Sequence, residues 1–216
     1  MATKRPSAID VAKWRSSVDV WIDHADIFSD DVARFEAVEK LTLWNVAYPV
    51  DLFARMPRLW WLDVRGGTVK NFQSLATAQG LRYLCINQIR GLEDLSDISS
   101  LKKLEYLSLY GLSKVETLPE LSDLSSLRRV EVGQMKGLQS LDPIWKAQQL
   151  EEIQLMKEVP AGPDDLKPIN NMPNLKAFSW VAIDVPAKRS RAINEGVSVP
   201  KARSLHATDW FEEKDQ

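Results

Sequence analysis

The chain of 216 residues has one cysteine, Cys85, and two histidines, His24 and His206. A single thiol excludes an intrachain disulfide and carries no sign of an oxidising compartment. With so few soft ligands, no spacing matches a zinc site. There is neither a GxGxxG nor a GxxxxGK[ST] segment, and Gly66-Gly67 is an isolated turn pair rather than a phosphate cradle. Charge of one sign is also missing: the formal net charge is -2, which gives no overall drive toward nucleic acid or an anionic membrane. No run approaches the roughly 18 apolar residues of a spanning helix. The opening MATKRPSAIDVAKWR lacks the apolar centre of a signal peptide. These absences predict a soluble, cytoplasmic chain of one domain, long enough to bury a substantial core.

What is present is a period. Residues 104–127 read LEYLSLYGLSKVETLPELSDLSSL, with Leu104, Leu107 and Leu109 followed by an apolar residue at every third place as far as Leu127. The pattern then restarts through Val130, Val132, Met135, Leu138 and Leu141. One such unit cannot bury its own apolar face, so it must stack on copies of itself. Val18, Val20 and Ile22 alternate with Asp19, Trp21 and Asp23, which places a first strand at Val18–Asp23. The later strands centre on Leu41, Leu62, Leu84, Leu107, Val130, Ile153 and Phe178, at steps of 21, 22, 23, 23, 23 and 25 residues. Between them, SDDVARFEAVEK and VKNFQSLATAQG read as short helices, with Ser29 as a cap and Gly80 as a stop. Period-three leucines at 91–101 and 112–126 fit 3-10 or extended backbone.

The LxxLxL strand with its trailing Leu118-Pro119 resembles a leucine-rich repeat of the bacterial and plant type. The resemblance implies an α/β fold, a right-handed solenoid of about eight parallel concave strands with helical, 3-10 or extended convex pieces over residues 18–186. Residues 1–17 are then a leader or cap. Residues 187–216, where the apolar period fades, form a polar tail or C-terminal cap. Many such repeats hold their turns with an asparagine or cysteine at the ninth position. Here that position is Val46, Gly67, Ile89, Leu112, Met135 and Glu158, so the turn backbone must be satisfied otherwise, by water or local turns.

Strand alternation assigns the intervening residues to the concave face. One row is Asp19, Lys40, Trp61, Tyr83, Tyr106, Arg129, Glu152 and Ala177. The next is Trp21, Thr42, Asp63, Cys85, Ser108, Glu131, Gln154 and Ser179. The third is Asp23, Trp44, Arg65, Asn87, Tyr110, Gly133, Met156 and Val181. A one-residue slip would expose every leucine, so the polar rows check the register. Trp61, Tyr83 and Tyr106 stand on neighbouring strands about 4.8 Å apart. Trp44 and Tyr110 flank them, with Arg65 and Asn87 between, and Trp21 joins from the first strand.

Large amphipathic rings beside arginine on an exposed face have the composition of an interface hot spot. The expected site is therefore Trp44, Trp61, Asp63, Arg65, Tyr83, Asn87, Tyr106 and Tyr110, holding a protein or peptide without catalysis and without a cofactor. The alternative is that the rings pack on each other or on the capping tail. An immunity protein or an adaptor, in a bacterial cytoplasm, fits the size and architecture. Self-association as a weak homodimer, and carbohydrate or small-ligand binding on the rings, are the other readings. Arg65 and distant Lys40 are too few cations to track a phosphate backbone, so nucleic acid is not expected as a partner, nor is a membrane. Cys85 has no histidine beside it in any row and reads as an ordinary surface thiol. Glu131 and Glu152 lie very roughly 8 Å apart on adjacent strands, but on an open wet face nothing would raise an acid's pKa. Those two with Arg129 are expected to form a solvated, laterally paired charged face.

Overall fold

A computed structural model describes residues 5–214; residues 1–4 of the expected leader and 215–216 of the expected tail lie outside the described residues. The order begins with α1 (Ala8–Val11) and β1 (Lys13–Trp14), then β2 (Asp19–Asp23), β3 (Lys40–Trp44), β4 (Trp61–Arg65), β5 (Tyr83–Asn87) and β6 (Tyr106–Tyr110). It continues through β7 (Arg129–Gly133), α2 (Asp142–Lys146), β8 (Glu152–Met156), α3 (Leu166–Asn170), β9 (Ala177–Val181), α4 (Ala187–Gly196) and α5 (Ala207–Lys214). The nine strands lie in one open sheet in sequence order. From β2 to β9 every pairing is parallel, and Asp19 pairs with Lys40, Lys40 with Trp61, Trp61 with Tyr83 and Tyr83 with Tyr106, as the rows require. The two-residue β1, antiparallel to β2, was not anticipated.

The register follows from burial. The central residues Val20, Leu41, Leu62, Leu84, Leu107, Val130, Ile153 and Phe178 all lie in the apolar core. Burying each such side chain contributes about 1.5–3 kcal/mol, so a slip by one residue would forfeit a whole row. The convex side is built mainly from 3-10 turns, at Ser29–Phe35, Phe53–Arg55, Gln73–Thr77 and Ser96–Ser100. Repeats of 21–23 residues leave room for about one turn, and period-three apolar spacing matches the three residues of a 3-10 turn. The segments read as helices at 29–40 and 69–80 are thus 3-10 and shorter than expected. Ser29 is the first residue of its turn rather than its cap; Asp31 instead accepts from the Phe28 amide. The α-helices α2 and α3 appear only in the later connectors.

Local turns satisfy part of the turn backbone, as expected, since the Leu112 and Met135 carbonyls accept from the Val115 and Leu138 amides; the next repeat satisfies another part. The residue after each of β2 to β8, at His24, Asn45, Gly66, Gln88, Gly111, Gln134 and Lys157, has φ between 48° and 69°. In this left-handed conformation its amide donates to the carbonyl of the last strand residue one repeat on: His24 to Trp44, Asn45 to Arg65, and so to Lys157 and Val181. This backbone relay replaces the missing asparagine ladder.

Both sheet edges are closed. Ser7 caps α1 through its hydroxyl, which accepts from the Ile9 amide, and β1 follows across the N-terminal edge. At the other edge Asn194 on α4 mimics a peptide group: its Oδ1 accepts from the Trp180 amide at 3.0 Å and its Nδ2 donates to the Trp180 carbonyl at 3.0 Å. The backbone of Pro200 and Ala202 then pairs with Phe178. An unpaired edge is a template for aggregation, and these contacts remove it. No helix among the described residues is long and apolar enough to cross a membrane.

Gly111 shows how tight the relay is: at φ +69° an added Cβ would lie 2.9 Å from Gln88 Cγ. Left-handed backbone costs a side chain about 1–2 kcal/mol. Gly111→Ala should therefore lower unfolding free energy by about that much in a urea titration, without loss of secondary structure by circular dichroism.

Candidate functional site

The concave rows point away from the core as alternation demands, but they are not all open. Trp61, Tyr83 and Tyr106 are 8 %, 6 % and 2 % exposed, because α5 crosses the sheet and seats Trp210 and Phe211 on them. The expectation that these three rings face solvent is corrected: the alternative, packing on the C-terminal segment, is what the structure adopts. The rings interlock. Trp61 stacks on Tyr83 at 3.8 Å between centroids, and Tyr83 meets Tyr106 edge-on at 5.2 Å. Tyr106 receives Trp210 edge-on at 5.3 Å and Phe211 at 6.4 Å, while Trp60 closes on Phe211 at 5.4 Å. Offset and edge-to-face pairs of this kind are the favoured aromatic geometries. We refer to these rings as the cradle.

Cations and carboxylates frame the cradle. Lys40 lies over Trp60 at 4.9 Å and Arg82 over Phe211 at 5.2 Å. Glu152 accepts from the Trp210 indole nitrogen at 3.0 Å, and Glu105 takes both Arg82 and Lys214. The approach to α5 is held as well: Arg129 Nη2 donates to the Arg203 carbonyl at 3.0 Å, Gln154 Nε2 to the Ser204 hydroxyl at 2.9 Å, and Arg203 pairs with Glu213. Arg129 is wholly buried, paired with Glu131 and Glu152 and lying 5.2 Å from the Tyr106 ring. Burial opposes its charge, yet Tyr106 and the two carboxylates outweigh that and hold its pKa above the ordinary value. The expected lateral pairing of Arg129, Glu131 and Glu152 is present, but this is not a solvated face, since the C-terminal segment lies across it.

Cys85 is likewise not a surface thiol. It lies in the buried cluster with Trp61 and Phe211, and burial, reinforced by Asp63, pushes its pKa well up. Asp63 is also buried, gripped by Arg65 through Nε and Nη2 at 2.9 Å and 2.6 Å. It therefore orients Arg65 instead of presenting itself to a partner. His24 and His206 are exposed.

The third row remains open. Trp44 is 40 % exposed, stacked on Trp21 at 6.4 Å. Arg65 is exposed beside it, and Asn87 and Tyr110 are half-buried on the next two strands. Tyr110 is fixed by its hydroxyl, which donates to Gln134 Oε1 at 2.6 Å, and by Gly133, where a Cβ would come 2.8 Å from the Tyr110 ring. Lys157 donates to the same Gln134 oxygen at 3.2 Å. Along the strand ends runs a groove of about 550 Å³ lined by Trp44, Gln88, Arg90, Gln134 and Lys136 among others. No acidic residue is among its described lining.

Of the eight residues expected from the sequence, the structure thus brings Trp44, Arg65, Asn87 and Tyr110 to an open strip and places Trp61, Asp63, Tyr83 and Tyr106 beneath cover. The residues missed are Trp210 and Phe211. Their signal was an adjacent aromatic pair in an otherwise polar tail.

Glu105 gives the anchoring of α5 a pH dependence. Burial alone would raise its pKa, but the bonds from Arg82 and Lys214 outweigh it and hold the pKa below the ordinary 4.5. A depressed carboxylate contributes stability above its unfolded-state value, and that share is lost as pH falls through the lower, folded value. The difference in urea midpoint between wild type and Glu105→Gln should be constant above about pH 4.5 and vanish progressively below it.

Comparison with known proteins agrees with the architecture. Residues 67–135 match the family model described as R13L1/DRL21 LRRs. Among curated proteins none matches the sequence. An internalin (inlF) from Listeria monocytogenes superposes with a TM-score of 0.50 at 14% identity, over 85% of this chain and 53% of that one, so the chain spans about half the internalin's length. An internalin C2 (inlC2) from the same organism gives 0.45 at 16% identity, over 74% and 80% of the two chains. The plant peptide hormone receptor RGFR1 in complex with RGF2 gives 0.39 at 14% identity, over 78% and 36%. Sheet order, register, repeat length and the matched segment together make this protein a leucine-rich-repeat solenoid.

Proposed function

We propose that the protein is a non-catalytic protein-binding module that holds a protein or peptide partner on its open strip, Trp44, Arg65, Asn87 and Tyr110. The observation that carries this reading is the exposure of Trp44 on a rigid sheet, in one row with an oriented arginine and a fixed tyrosine. Exposed aromatics and arginine on a pre-organised surface give large contact energy at low entropic cost. The four positions sit on consecutive strands, so the strip is about 15 Å long, which suits an extended peptide or one face of a helix. The adjoining groove carries Arg90 and Lys136 without a carboxylate in its described lining, and this favours a partner presenting acidic side chains.

Stacking of a sugar on the rings is disfavoured, because Trp61, Tyr83 and Tyr106 are already covered. A cytoplasmic setting, and a role as adaptor or immunity protein, belong to the same proposal. Replacing Trp44 with a photo-reactive phenylalanine should cross-link the partner in lysate. Trp44→Ala with Tyr110→Ala should then weaken the purified complex by about 2 kcal/mol or more, with the urea midpoint little changed. Unaltered affinity in that double variant contradicts the open strip as the site.

A further inference from the structure

The cradle raises a separate question, because α5 is not needed where it sits. The exposed edge of the sheet is already closed by α4 and by Pro200 and Ala202 against β9. Helix α5 lies instead over β4–β6, in the middle of the sheet, and of its residues only Trp210 and Phe211 are buried. An eight-residue helix is not stable alone, so α5 is helical because it is docked. Its polar attachments to the sheet, at Glu105 and Glu152, are both partly exposed. A segment held in this way can leave while the solenoid stays folded.

The seated helix also states what the cradle recognises. Two adjacent aromatics on a helix enter the slot among Trp60, Trp61, Tyr83 and Tyr106. The first of them, Trp210, gives its N–H to Glu152. One turn later Lys214 meets Glu105. We propose that the cradle is a helix-docking site, occupied in the free protein by α5 and taken in a complex by a partner helix of the same chemistry, an adjacent aromatic pair with a basic residue one turn on. This surface is independent of the open strip: binding at either can fail while the other stands. An indole N–H on a buried-rim carboxylate and a lysine on a second carboxylate set the register of the incoming helix, and the aromatic slot supplies the apolar burial.

The test uses the full-length chain. The probe is a fluorescein-labelled peptide of residues 203–214, RSLHATDWFEEK, followed by fluorescence anisotropy. In the Trp210→Ala, Phe211→Ala double variant the cradle is vacated, and the probe should bind at least about tenfold more tightly than to the wild type, whose tethered α5 competes at millimolar effective concentration. A probe carrying the same two substitutions should not bind either chain. Equal binding to both chains, or none to the variant, overturns the proposal. Native-state hydrogen exchange on the wild type decides independently of any variant's folding. Amides of α5 should exchange by local opening at least about a hundredfold faster than those of β5. Exchange of α5 only with global unfolding makes it a permanent cap and overturns the proposal. A mass of two chains, abolished by the double variant, would assign the cradle to the α5 of a second copy and equally overturn it.

Discussion

Everything in this molecule depends on one constraint: a parallel strand with an apolar core on one side must present its alternate residues on the other. Eight such strands in exact lateral register give eight copies of each outward position. The core rows supply the stabilisation, at about 1.5–3 kcal/mol for each fully buried aliphatic side chain. The outward rows supply the surface. Between strands, the left-handed residue after each one passes its amide to the next repeat's carbonyl, so the backbone holds the register without help from an asparagine side chain. The presence of five non-glycine residues in that conformation shows that stacking outweighs a local cost of about 1–2 kcal/mol at each.

The C-terminal segment then divides the surface. It closes the last strand, crosses over buried Arg129, and ends with two aromatics on the three rings of β4–β6. Its individual attachments are modest. An ion pair with an exposed partner contributes about 0–1 kcal/mol, and an ordered residue costs about 1–2 kcal/mol of backbone entropy. The buried faces of Trp210 and Phe211 carry most of what holds α5. Beneath it lie the cradle, Cys85 and Asp63. Beside it the strip from Trp44 to Tyr110 stays open, with the cationic groove at the strand ends.

The repeat, the register and the identity of each outward residue were legible in the sequence because alternation is a local property. Leu107 and Tyr106 point to opposite faces of the sheet for a reason visible in five residues. Exposure is not local. Whether Tyr106 meets water depends on Phe211, 105 positions away, and no periodicity links them. The same holds for Arg129, whose charged neighbours were readable but whose cover, the Arg203 carbonyl, was not. Alternation places Asp63 on the outward face and so in the expected site, and only geometry shows Arg65 gripping it bidentately. The convex pieces over 29–40 and 69–80 are shorter than their apolar spacing alone suggests, because that spacing suits a helical turn of either kind and the short repeat decides for 3-10.

The most direct measurement is the rate at which Cys85 of the native, full-length protein reacts with an alkylating reagent. The thiol is the chain's only one, and it lies in the cluster with Phe211. A cradle closed by α5 predicts slow labelling of the wild type, and acceleration by about tenfold or more when Trp210 and Phe211 are both replaced by alanine while the sheet remains folded. Labelling of the wild-type thiol as fast as an unfolded control would contradict the division of the concave face into a covered cradle and an open strip.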